Sequence, residues 1–122
     1  AKTKAYYILG GTAIQDDFFQ LNAAGEVIFA GTSIRSFNAR SGKFQIVWVM
    51  PGVKGITDIE AVWENNSLVA TGKGYDGNGT FLERFKYYDL KKDSYKFTMD
   101  RSYDNGKTWI SPFSEFTAKR TK

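Results

Sequence analysis

The chain has 122 residues, 42% hydrophobic and 16% aromatic, with 17 Lys and Arg against 13 acids and a net charge of +4. That gives room for one domain with a packed core, and too much apolar content for disorder. With no Cys and no His, the chain lacks disulfides, thiolate chemistry, zinc or haem ligation through those residues, imidazole-based triads and the usual near-neutral pH switch.

Short apolar or alternating runs are broken about every ten residues by Gly, Asn, Asp or Ser, the rhythm of an all-β domain. The spacing predicts strands over residues 6–9 and 13–21, with Gly10 and Gly11 either bending one strand or separating two. Asn22-Ala23-Ala24-Gly25 turns the chain into a long strand over 26–38, where Gly31 relieves the bend. Asn38-Ala39-Arg40-Ser41-Gly42 leads to a strand over 43–50, with Phe44, Ile46, Trp48 and Met50 on one face. Pro51 ends that strand, and Met50 to Gly55 is the longest expected loop.

Strands over 57–64 and 67–74 flank Asn65-Asn66, which suits a tight hairpin. Asp76-Gly77-Asn78-Gly79 precedes a strand over 80–90. The strand over 94–103 places Tyr95, Phe97, Met99, Arg101 and Tyr103 opposite Lys96, Thr98, Asp100 and Ser102. Asp104-Asn105-Gly106 then turns into a last strand over 108–119. Links this short force antiparallel neighbours. The expectation is one domain over residues 1–122, an antiparallel up-and-down barrel of about eight strands, with a two-sheet sandwich as the fallback.

Two stretches carry a resemblance beyond composition. One is Thr32-Ser33-Ile34-Arg35-Ser36-Phe37-Asn38-Ala39-Arg40-Ser41-Gly42-Lys43-Phe44-Gln45-Ile46-Val47-Trp48. The other runs from Glu83-Arg84-Phe85 through Asp93-Ser94-Tyr95-Lys96-Phe97 and Ser102-Tyr103-Asp104-Asn105-Gly106-Lys107-Thr108-Trp109 to Glu115-Phe116-Thr117-Ala118-Lys119-Arg120. Together these stretches resemble a bacterial family of lipocalin-like (calycin) domains of unknown function, which implies a barrel and no activity. Such domains commonly begin with a Gly-x-Trp segment that closes the barrel bottom, and this sequence has none. The first residue is Ala rather than Met, which points to a removed leader or upstream segment. The barrel is then expected to be open, strand-swapped or completed by a second copy.

Ser102-Tyr103-Asp104-Asn105-Gly106-Lys107-Thr108-Trp109 also matches the Asp-box pattern of sialidase blades. One copy in so short a chain reads as a structural turn: Asp104 bonds backbone N–H groups, Gly106 takes positive φ, and Trp109 packs beneath. Asp76-Gly77-Asn78-Gly79 with Asp89 or Asp93 lacks EF-hand spacing and reads as a hairpin turn, so no metal site is assigned. Gly72-Lys73-Gly74 is too short for a phosphate loop. Asp16 and Asp17, adjacent on a strand, point to opposite faces and make no carboxylate pair.

Charges set among aromatics carry the functional reading. Arg35 is in register with Phe29 and Phe37, Arg101 lies between Met99 and Tyr103, Glu83 between Phe81 and Phe85, and Glu115 between Phe113 and Thr117. Facing inwards, these four require partners or a ligand, because an unpaired buried charge costs several kcal/mol. They either form an ion-pair network at one barrel end or offer Arg35 and Arg101 to a polar or anionic group. Trp48, Trp63, Tyr95 and Phe97 would be the apolar walls. Trp48, Trp63 and Trp109 otherwise read as core.

The function expected first is binding of a small, partly apolar ligand in the lumen, with no cofactor. A second reading is an isomerase, cyclase or hydrolase using Glu83, Glu115, Tyr95 or Tyr103, although no catalytic residue is assigned. A third is a structural or self-assembling domain, a homo-oligomer. Lys2, Lys4, Lys119, Arg120 and Lys122 cluster at the ends without a continuous basic stripe, so nucleic acid is not a predicted partner. No run approaches the roughly 18–20 apolar residues of a membrane helix, and no signal-peptide core follows the basic start. A soluble protein of the bacterial cytoplasm or periplasm is expected.

Overall fold

A computed structural model describes residues 1–52 and 54–121. Val53, inside the expected long loop, and Lys122, in the C-terminal basic cluster, lie outside the described residues. Among the described residues nine strands follow one another: β1 (Lys2–Ile8), β2 (Ala13–Leu21), β3 (Val27–Asn38), β4 (Lys43–Met50), β5 (Lys54–Glu64), β6 (Ser67–Asp76), β7 (Gly79–Tyr88), β8 (Ser94–Ser102) and β9 (Ile110–Lys119). They form one antiparallel sheet in sequence order, an up-and-down sheet curled strongly into a half-barrel. The outer members, β1 and β9, do not pair with each other among the described residues.

The turns follow from the side chains that make them. Asn22 Oδ1 accepts from the N–H groups of Ala24 (3.0 Å) and Glu26 (2.9 Å), and Asn38 Oδ1 accepts from Arg40 (3.0 Å) and Ser41 (3.3 Å). Asn65 and Asn66 adopt φ of 50° and 58°, the left-handed geometry of a tight hairpin. The first two strands are separate rather than one bent strand. Leu9, Gly10 and Gly11 all take positive φ, and this reverses the chain so that Ile8 pairs with Ala13. The loop expected from Met50 to Gly55 is shorter than predicted, because Lys54 already pairs with Met50 on one side and Asp76 on the other.

The core lies on the inner face of the middle strands. Ile46, Ile59, Ala61, Ala70, Phe85 and Phe97 are buried together, with Phe44, Trp48, Leu68, Tyr87, Tyr95 and Met99 packed around them. The small Ala61–Ala70 pair at the centre lets rings from β7 and β8 fold across it. Gly31 has a specific packing reason: a Cβ there would stand 2.6 Å from Trp48 Cζ2. The indole therefore occupies the space of the missing side chain. It also meets Phe18 edge-on at 6.1 Å.

This core divides the inner face. Turns β1–β2, β3–β4, β5–β6 and β7–β8 lie at one end, and the remaining four at the other. Polar side chains gather towards both ends.

Candidate functional site

Arg35 near the end of β3 and Asp16 on β2 face inwards and meet diagonally, Arg35 Nη2 donating to Asp16 Oδ2 at 3.3 Å. Both are about a quarter exposed, while Arg35 Nε and Asp16 Oδ1 are buried without a partner among the described residues. Beside the pair is a cavity of about 310 Å³. Leu68, Leu90 and Trp63 form apolar walls at the β5–β6 and β7–β8 turns. Tyr87 and Tyr95 come from the facing strands, and Thr3 and Ala5 of β1 close the far side. The curl of the sheet thus brings β1 across from β8 without joining their hydrogen bonds.

Burial dominates the ionisation of these groups. It pushes Asp16 above the usual carboxylate range against the pull of Arg35, with Asp17 adding repulsion. It raises Tyr87 to about 12, although Arg35 opposes the shift. Burial also raises Tyr95. Both tyrosines are therefore neutral hydroxyls at ordinary pH.

The predicted inward residues do not form one site. Arg35, Trp63 and Tyr95 come together at the cavity. Trp63, 58% exposed, stands at its rim rather than in the core. Phe97 is buried between the two ends, its ring stacked on Phe116 at 4.7 Å, and Trp48 packs over Gly31. Neither lines the cavity.

Glu83 and Arg101 belong to a second cluster near the opposite end, where Arg101 lies between the Phe81 and Phe113 rings, 4.1 and 4.0 Å from their centroids. Arg101 pairs with Glu83 in a short contact and with Asp76 at 3.2 Å. Lys54 Nζ reaches Glu83 at 3.6 Å, and Tyr103 donates to Asp76 at 2.7 Å. Two cations thus face two anions, the ion-pair arrangement rather than a free guanidinium. Burial lowers Lys54 against the attraction of Glu83. Burial works against the ionisation of Asp76, but the Tyr103 hydroxyl, the Asn78 N–H, Arg101 and Lys54 hold it below its ordinary range. Asp76 is thereby committed within the network.

Glu115 is a correction. It pairs in register with Thr98 and is exposed on the outer face. Phe113 lies against Arg101, and the next residue, Ser114, pairs with the inward Met99. Two neighbours thus share the inner face, which breaks the alternation between Phe113 and Glu115 at the β9 irregularity. Trp109 is also outside the core: it lies under the Arg84 guanidinium, 4.1 Å from the ring centroid. Its turn is clipped as the Asp-box chemistry predicts. Thr108 donates to Asp104 through both N–H and hydroxyl, Ser102 donates to Asp104 at 2.8 Å, and the Gly106 N–H donates to Ser102 at 2.9 Å. These bonds, the Thr108 hydroxyl first, lower the Asp104 carboxyl to about 2.

Sequence reasoning missed Asp16, Tyr87, Leu68 and Leu90. Alternation carried the signal for two of them: Asp16 shares the face of Phe18, and Tyr87 that of Phe81, Glu83 and Phe85. Asp17 does point the other way, accepting from Tyr6, Gln15 and Thr32.

No family model matches this chain, and no curated protein or solved structure does so. Among the described residues no helix is long and apolar enough to cross a membrane.

Proposed function

We propose that this chain is a lipocalin-like binding domain whose inner cavity takes a small, partly apolar ligand with a polar group held by Arg35 and Asp16. The observation that carries the reading is the convergence of two charged side chains and two tyrosines on an apolar-walled cavity of about 310 Å³. Small-molecule sites combine this kind of apolar lining with a few placed polar groups. Arg101, the other predicted anchor, is occupied by Glu83 and Asp76 and is left to stability.

The test is a titration of Trp fluorescence with fatty acids, aromatic acids and aromatic amides, since Trp63 stands at the rim. A saturable change is expected, weakened about tenfold or more by Arg35→Gln, the loss of one charge-assisted hydrogen bond. Glu115→Gln on the outer face leaves it unchanged. No saturable change with any probe at millimolar concentration overturns the proposal.

One observation favours the enzymatic reading: Asp16, raised by burial beside apolar walls, has the environment of a general acid or base. Turnover of a bound probe, abolished by Asp16→Asn with binding retained, would distinguish it. Another favours self-assembly: among the described residues β1 and β9 are sheet edges that do not pair with each other. A strict monomer in sedimentation opposes that reading.

A further inference from the structure

The nature of the polar group follows from how the cavity is charged, an inference resting on the binding reading above. Among the described residues Asp16 and Arg35 are the only charged side chains in the lining, and they are already paired with each other. The remaining polar equipment includes the Tyr87 and Tyr95 hydroxyls. The site therefore holds no net charge but offers both donors and acceptors.

We infer that the cavity selects a neutral head group carrying both a hydrogen-bond donor and an acceptor, such as a carboxamide or lactam on an apolar or aromatic body, and discriminates against carboxylates. An arginine alone would favour an anion through a two-pronged contact. Here Asp16 occupies the guanidinium at 3.3 Å. An incoming carboxylate would have to displace it or lie beside a second negative charge in a partly desolvated space, where like charges repel strongly. A neutral amide meets neither cost. Its N–H can approach the aspartate and its carbonyl the arginine, while the tyrosine hydroxyls serve either role. The apolar body then rests on Leu68, Leu90 and Trp63.

The experiment compares phenylacetamide with phenylacetate, near-isosteres differing in head-group charge, by calorimetric titration at neutral pH. The wild-type chain is expected to bind the amide at least about tenfold more tightly, the discrimination one unfavourable charge contact readily supplies. Asp16→Asn keeps the shape but frees the Arg35 charge, so the order reverses and phenylacetate gains about tenfold or more. Tighter wild-type binding of phenylacetate, or an unchanged ratio in a folded Asp16→Asn chain, overturns the inference and leaves the binding reading standing. Absence of binding by either probe at millimolar concentration overturns the inference, and it overturns the binding reading as well when the fatty acids and other aromatic acids also give no saturable change. Should Asp16→Asn fail to fold, the wild-type ratio alone decides.

Discussion

Glu83 is 3% exposed, Arg101 is 5% exposed, and Lys54 approaches the same carboxylate at 3.6 Å. Glu83→Gln preserves the shape and one acceptor but removes a negative charge, leaving two cations facing Asp76 alone. Breaking a buried pair in this way costs about 3–5 kcal/mol, because the surviving charge remains desolvated without compensation. For a chain of this size, with roughly 3–5 °C per kcal/mol, the melting temperature falls by about 10–20 °C. Lys54 limits the loss, since burial already lowers its pKa and it can shed its proton to rebalance the cluster. In the variant the unfolded chain then binds more protons than the folded one, so stability rises with pH.

Calorimetric melts of wild type, Glu83→Gln, Arg101→Met and the double variant at several alkaline pH values check both claims. The double variant is expected to recover about 2 kcal/mol or more relative to the sum of the singles, because it restores charge balance. A Glu83→Gln melt within about 2 °C of wild type would refute the reasoning, placing the cluster with exposed pairs that contribute little.

Other consequences are as direct. Gly31→Ala forces a Cβ to within 2.6 Å of Trp48 Cζ2 and 2.9 Å of the Val49 carbonyl oxygen. It should destabilise by about 1–3 kcal/mol in urea melts and shift Trp emission, as overpacked cores do. Phe97→Ala, truncating the ring at the core centre, should cost about 3–5 kcal/mol in the same assay. Asp104 is about 2 when folded against an ordinary 3.8, so the unfolded chain takes up the proton first. Its stabilisation is fully present above about pH 4 and lost as the pH falls towards 2; Asp104→Asn should flatten that part of the acid stability curve.

Turns and faces were legible because each is set by a few adjacent residues. Asn22 and Asn38 cap their turns through their own Oδ1 atoms, Asn65-Asn66 forms the tight hairpin, and Tyr95, Phe97 and Arg101 share the inner face as alternation requires. The candidate site was only half legible. Arg35 was readable as an inward charge, but its partner Asp16 depends on the β2–β3 register, which alternation alone leaves open. The cavity depends further on the curl that carries Thr3 and Ala5 across from Tyr95, a property of all the intervening strands. Glu115 failed for a local reason: Phe113 and Ser114 both face inwards at the β9 irregularity, and Pro112 beside them is its sequence signal.

In this sheet each strand contacts its neighbours in sequence, and among the described residues β1 and β9 have hydrogen-bonded strands on one side alone. Protection against amide exchange should therefore be graded along the chain. It should be slowest in β5 to β7, whose inward residues are most deeply covered, and fastest in β1, exposed over nearly its whole length. Because every pairing is a hairpin, the polypeptide can zip from local contacts outward without first closing a large loop. Fraying at either margin then removes strands one at a time while the centre keeps its ladder.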